Sequence, residues 1–144
     1  MRDVQTQGNR PMRRKQFLLA AASAALGLLA AGPAARAATE TPFTAAAFAA
    51  AQAADKPILV HIWASWCPTC AKQTPILKSL AADPSYADLM IFRVDFDAQK
   101  DVVRAMGADH QSTLVVFHGK DEKGRSVGDT EAASITALVA KSKG

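Results

Sequence analysis

The sequence predicts an α/β domain in which a central mixed β-sheet is flanked by helices. Three observations carry that prediction. Short apolar runs rich in β-branched residues, of which "ILVHIW" (58–63) is the clearest, have the near-continuous hydrophobicity of strands buried on both faces. Segments with helical spacing alternate with these runs, in the order α-β-α-β-α-β-β-α. The last two strands are separated only by a short polar turn, so they are expected to pair as a hairpin.

The chain has 144 residues, and its first part is unlike the rest. Arg13, Arg14 and Lys15 precede an apolar run from Phe17 to Ala31, and "GPAARAAT" follows. A basic start, a short apolar stretch and Ala35-Arg36-Ala37 as a small-residue cleavage site predict an export signal over 1–37, cleaved near Ala37. The run of about 15 residues is short of the roughly 20 that cross a bilayer. "RRKQFLL" also resembles a twin-arginine signal if Arg14-Lys15 is taken as the pair, so Sec and Tat export both remain open. Either route places the mature protein outside the cytoplasm, in the periplasm.

Residues 38–144 are the predicted domain. "ATETPF" (38–43) reads as a polar link. "TAAAFAAAQAAD" (44–55) reads as a helix with Thr44 as its N-cap and Phe48 to bury. Lys56-Pro57 ends it, and strand 58–63 follows. From Cys67 to Ala82 the spacing of Ile76, Leu77 and Leu80 predicts an amphipathic helix, which Pro75 is expected to kink. "LMIFRVDFD" (89–97) reads as a strand and "AQKDVVRAMG" (98–107) as a short helix ended by Gly107. "STLVVFHG" (112–119) is a third strand, "KDEKG" (120–124) a turn, and "RSV" (125–127) the returning strand. "DTEAASITALVAKSK" (129–143) closes as a helix with Ile135, Leu138 and Val139 on one face.

Charge excludes one class of function. The chain carries a formal +4, but residues 1–37 hold about +5 of it, which leaves about −1 for 38–144. The predicted domain therefore has no basic stripe for nucleic acid. Its roughly 107 residues are enough for one hydrophobic core without metals or several disulfides as staples.

Both cysteines fall in "WCPTC" (66–70). A bridge across two intervening residues constrains little chain entropy, so a purely structural staple is a poor use of this spacing. A tetrahedral zinc site needs four ligands, and here there is no third cysteine, while His61, His110 and His118 are scattered. Redox chemistry fits better. A thiol attacks as its thiolate, and a helix N-terminus lowers its pKa from about 8.5. Cys67 is predicted at such a position, directly after a strand. Cys70, three residues on, returns to the same side of the helix, where it can resolve a mixed disulfide at Cys67. Pro68 suits the first turn because it lacks an N–H. Trp66 offers an apolar wall beside the sulfur.

"KPILVHIWASWCPTC" followed by "AKQTPIL" resembles the thioredoxin superfamily, in which a buried strand leads to W-C-x-x-C and a helix with a proline five residues after the second cysteine. Pro75 fills that place. "FRVDFD" is similar to the family's next strand, and "STLVVFHG…RSVG" to its terminal hairpin, with Gly128 at the usual glycine. The likeness covers residues 44–143. It implies a thioredoxin-like fold, with Cys67 as exposed nucleophile and Cys70 as buried resolving thiol. It also implies Trp66, Pro68, Thr69, Gln111 and Ser112 as the surface that meets the substrate.

Two positions depart from the family pattern. Before "TLVVF" the family carries a cis-proline, whereas this chain has Ser112 after Gln111. A cis bond before a residue other than proline costs about 2.5–4 kcal/mol. The serine adds a hydroxyl near the sulfurs. Six residues before the first cysteine the family often holds a buried aspartate. Here it is His61, which is expected to relay a proton, because its ordinary pKa lies near physiological pH. Arg93 stands where the family commonly carries a lysine.

The expected activity is thiol–disulfide exchange with protein thiols and disulfides, with no cofactor beyond the Cys67–Cys70 pair and no dedicated metal site. Pro68-Thr69 lacks the histidine found between the cysteines of strongly oxidising relatives. The pair therefore reads as that of a reductase or an electron carrier, fed by a membrane donor. Two alternatives remain open. One is a protein that holds copper, zinc or an iron–sulfur cluster on the two thiolates, and the other is a binding module on the same scaffold.

Overall fold

The computed structural model describes residues 37–144. The predicted leader therefore lies outside the described residues, all but Ala37. Nine principal elements follow: β1 (Glu40–Pro42), α1 (Ala45–Ala53), β2 (Pro57–Trp63), α2 (Pro68–Ala82), β3 (Met90–Asp95), α3 (Lys100–Ala105), β4 (Thr113–His118), β5 (Asp121–Val127) and α4 (Ala132–Ala140). Single turns of 3₁₀ helix occupy Pro84–Tyr86 and Lys141–Lys143.

The strands form one five-stranded sheet in the order β1-β3-β2-β4-β5. β1, β3 and β2 run parallel, whereas β4 is antiparallel to β2 and β5 antiparallel to β4. The sheet is mixed, as expected. β2 lies at its centre, and its five inner residues, Ile58 to Ile62, are all buried. Alternation along the strands divides the core in two. Leu59, Ile91 and Leu114 meet Leu77 and Leu80 of α2 and Ile135 and Val139 of α4. Val60, Ile62, Phe92 and Val115 face the other way, toward Phe48 of α1 and Val103 of α3.

Local chemistry accounts for most boundaries. Thr44 caps α1 by accepting the Ala47 N–H at 3.1 Å. Asp95 ends β3, its Oδ1 accepting the N–H groups of Asp97 and Ala98, both at 2.9 Å. α2 runs unbroken through Pro75. Gly107 follows α3 with φ +61°, the left-handed conformation that glycine adopts freely.

Two expectations need correction. Residues 38–43 are more than a polar link, because Glu40–Pro42 pairs with Ile91–Arg93. A three-residue strand with a proline carries no hydrophobic pattern, and it is tolerated here because it lies at the sheet edge. The turn between the last strands is also shorter than predicted. It lies at Gly119 and Lys120, and the charged stretch 121–124 belongs to β5. β5 is the other edge of the sheet, where charged side chains face water and discourage further pairing.

Candidate active site

The site lies where central strand β2 ends and α2 begins. Cys67 is the N-cap of α2, with extended backbone angles, and its sulfur accepts the Cys70 N–H at 3.1 Å. Orphan N–H groups and the helix dipole both favour negative charge there. Pro68 occupies the first turn, where its missing N–H leaves no bond unmade. The two sulfurs are unbridged.

Ser112 faces them from the loop before β4. Its Oγ lies 3.0 Å from Cys67 Sγ and 3.4 Å from Cys70 Sγ. Three further bonds hold its backbone. The Ser112 N–H donates to Ile62 O at 2.8 Å, and its carbonyl accepts from Gly128 N at 3.0 Å and from Gln73 Nε2 at 3.1 Å. Its φ is +62°, uncommon for a residue with a Cβ.

The two thiols are shifted in opposite directions. Burial pushes the Cys67 thiol up, but bonds from the Cys70 side chain, the Ser112 hydroxyl and the N–H groups of Cys70 and Thr69 outweigh it and hold the thiol below its ordinary range. Burial raises the Cys70 thiol, and its bond to the Cys67 sulfur raises it further, against smaller opposing bonds from Ser112 and the backbone. Cys67 is therefore the more acidic thiol of the pair. It is less exposed than the resemblance implied: 3 % accessible against 0 % for Cys70, since its sulfur is turned toward Ser112 and the helix N–H groups.

The remaining predicted residues divide into two groups. Trp66 is 59 % exposed and donates from Nε1 to Asp97 Oδ2 at 2.7 Å. Packing around the sulfurs comes from Ala64, with Trp63 and Phe96 against it. Pro68 is exposed, and Thr69 and Gln111 are half-buried around the cysteines and Ser112. His61 is fully buried but bonds to neither sulfur. Its Nδ1 lies 3.0 Å from Glu40 Oε1, and its Nε2 lies 3.2 Å from Gln73 Oε1. The residue expected to relay a proton therefore touches no cysteine, and Gln73, which also bonds the Ser112 carbonyl, stands between His61 and the site.

Glu40 and Gln73 were not anticipated. Gln73 did leave a signal, because it shares the buried stripe of α2 with Leu77 and Leu80 at spacings of four and seven residues. A polar residue on that stripe needs a buried partner. Glu40, in a segment without periodicity, left none. Among the described residues no group of three or more histidine, cysteine or acidic side chains is placed to hold a metal ion. The two sulfurs and one hydroxyl fall short of a closed four-ligand set.

Comparison with known proteins agrees with this geometry. The thioredoxin family model matches residues 39–141. A thioredoxin of Chlamydia muridarum is 34 % identical over 84 residues, which span 58 % of this chain and 80 % of the relative. The crystal structure of Trxlp from Edwardsiella tarda superposes with a TM-score of 0.68 at 37 % identity, covering 70 % of this chain and 98 % of that one. A mutant thioredoxin from Halobacterium salinarum reaches a TM-score of 0.67 at 19 % identity, covering 78 % and 97 %, a likeness of fold alone.

Proposed function

This chain belongs to the thioredoxin family of thiol–disulfide oxidoreductases, and on that premise we propose that it is an exported reductase or electron carrier that delivers two electrons to protein disulfides in the periplasm. The observation that carries the direction is the company Cys67 keeps. Among the described residues its sulfur is held by neutral donors, namely Cys70, Ser112 and backbone N–H groups, with no cation bonded to it. A thiolate without a neighbouring positive charge stabilises the dithiol form less, which favours giving electrons over taking them.

The reaction proceeds in two exchanges. Cys67 Sγ⁻ attacks one sulfur of the substrate disulfide. A Cys67–substrate disulfide forms, the substrate S–S bond breaks, and the departing substrate sulfur takes a proton. Cys70 then loses its proton and attacks Cys67 Sγ. The mixed disulfide breaks, the second substrate thiol leaves, and the Cys67–Cys70 disulfide remains. Two electrons have passed to the substrate. The high thiol of Cys70 keeps it protonated until Cys67 is engaged. The cysteines carry the electrons themselves, so the exchange needs no organic cofactor. A membrane electron donor returns the pair to the dithiol form.

Support for export comes from the basic and apolar start of the chain and the Ala35-Arg36-Ala37 site. The test is to express full-length Cys70→Ala protein with its own leader and to collect mixed disulfides from the periplasmic fraction. Substrate proteins held through Cys67 are expected there. Recovery of the chain only in the cytoplasm would remove the location, and a periplasmic chain without adducts would remove the activity there. The reduction potential of the wild-type pair, measured against glutathione, decides the direction.

A further inference from the structure

Gln73 is fully buried one helical turn beyond Cys70, and the reaction above makes no use of it. Its amide makes three bonds. Nε2 donates to Ser112 O at 3.1 Å and to Asp129 O at 2.8 Å, and Oε1 faces His61 Nε2 at 3.2 Å. Backbone carbonyls only accept, so the orientation of this amide is dictated: nitrogen toward the two carbonyls, oxygen toward the ring. The His61 Nε2 must then carry hydrogen. Its Nδ1 faces the Glu40 carboxylate, which also accepts.

The charged groups around His61 come from β1, β3 and α2, while β4 faces it with Leu114. Glu40 reaches it from β1, and Arg93 of β3 lies 3.8 Å from the other Glu40 oxygen. Lys78 of α2 adds positive charge toward Glu40. α2 also brings the uncharged Gln73. Each ring nitrogen thus faces an acceptor oxygen, Nδ1 that of Glu40 and Nε2 that of Gln73. In the tautomer with hydrogen on Nδ1 alone, the Nε2 lone pair would meet the Gln73 oxygen. The amide could relieve that contact only by turning over and giving up both carbonyls.

One of those carbonyls belongs to Ser112, whose hydroxyl lies between the sulfurs and whose backbone stands at φ +62°. We propose that Gln73, its amide locked by His61 and Glu40, is a positioning residue for disulfide exchange, holding the Ser112 loop so that the hydroxyl stays on both cysteine sulfurs. This role rests on the oxidoreductase reading. It adds a defined route by which a histidine that touches neither sulfur acts on both.

The test is a double-substitution cycle on the full mature domain, read by thiolate absorbance against pH in the reduced protein. Gln73→Met keeps the length of the side chain and removes all three bonds. It is expected to shift the Cys67 titration upward, as is Ser112→Ala. In the Ser112→Ala background, Gln73→Met should add no further shift. Equal shifts in both backgrounds would show that Gln73 acts apart from Ser112, and no shift from either single change would show that the hydroxyl tunes nothing. Each outcome overturns the proposal. A second measurement needs no substitution. Nitrogen-15 NMR of the wild-type ring is expected to show hydrogen on Nε2, and a bare Nε2 would overturn the locked amide. Both readouts report on the thiol and the ring whether or not any substrate is reduced. A failure here is therefore distinct from a failure to trap substrates.

Discussion

The Ser112 hydroxyl lies 3.0 Å from Cys67 Sγ, on a backbone whose φ of +62° a proline cannot adopt. The pyrrolidine ring fixes φ near about −65°, so this loop is more than the family's proline loop with one side chain exchanged. The Ser112 N–H, bonded to Ile62 O, is likewise something a proline would lack.

Ser112→Pro is therefore expected to destabilise the domain by more than about 1 kcal/mol, with the loss read as a lower urea midpoint. Ser112→Gly separates backbone from hydroxyl. Glycine accepts the left-handed conformation, so stability should stay within about 1 kcal/mol of wild type, while the Cys67 thiolate loses its oxygen partner and titrates higher. If Ser112→Pro is as stable as wild type, the loop does not hold this conformation in solution.

The strands and helices were legible because burial leaves a periodic trace. "ILVHIW" read as a fully buried strand, and it is the centre of the sheet. Leu77 and Leu80 marked the inner face of α2. The edges were not legible. Glu40–Pro42 pairs by backbone bonds that no side-chain pattern reports, and the charged residues of β5 read as a turn because an edge strand is polar. At the site, the roles expected for Cys67 and Cys70 rested on spacing and helix position. His61 stood out as a polar residue in a buried strand, but its partners did not. Glu40 comes from β1, beyond β3 in the sheet, and Gln73 from α2, so only the assembled fold brings the three together.

The opposite shifts of the two thiols predict an order of alkylation. Cys67, lowered by its hydrogen bonds against the effect of burial, should react with iodoacetamide at pH values below the ordinary cysteine range of about 8.5. Cys70, raised by burial and by its neighbour's sulfur, should react only at higher pH. Peptide mass spectrometry of reduced protein labelled across pH reads both sites. Equal labelling at every pH would remove the assignment of Cys67 as nucleophile.

Stability and thiol chemistry should separate on the far face of the sheet. Phe92 is 1 % exposed and meets Phe43 and Phe48 with ring centroids 6.1 and 5.9 Å away. Phe92→Ala is expected to cost about 3–5 kcal/mol of folding free energy. In the fraction that remains folded, the alkylation profile of Cys67 should match wild type, because the cluster of Phe92 and the small cluster of the cysteines share only the partly buried Phe96. A displaced profile would mean that the two halves are coupled through the sheet.

The last prediction concerns acid. Burial pushes the Glu40 carboxyl up, but the hydrogen bond and charge of His61, with the charges of Arg93 and Lys78, outweigh it and hold the group below the ordinary carboxylate range. A carboxylate lowered on folding contributes stability that is present above the unfolded value, about 4.3, and is lost as pH falls through the lower folded value. Glu40→Gln removes that contribution and leaves His61 Nδ1 without its charged acceptor. At neutral pH the variant should be less stable by about 1–3 kcal/mol. For a domain of this size that corresponds to a Tm lower by about 4–8 °C per kcal/mol. Below about pH 4 wild type loses the same contribution, so the two melting curves should converge. Thermal denaturation of both proteins from pH 7 to pH 3 checks this. A difference in Tm that stays constant across the range would show that Glu40 contributes shape to β1 and not charge to His61.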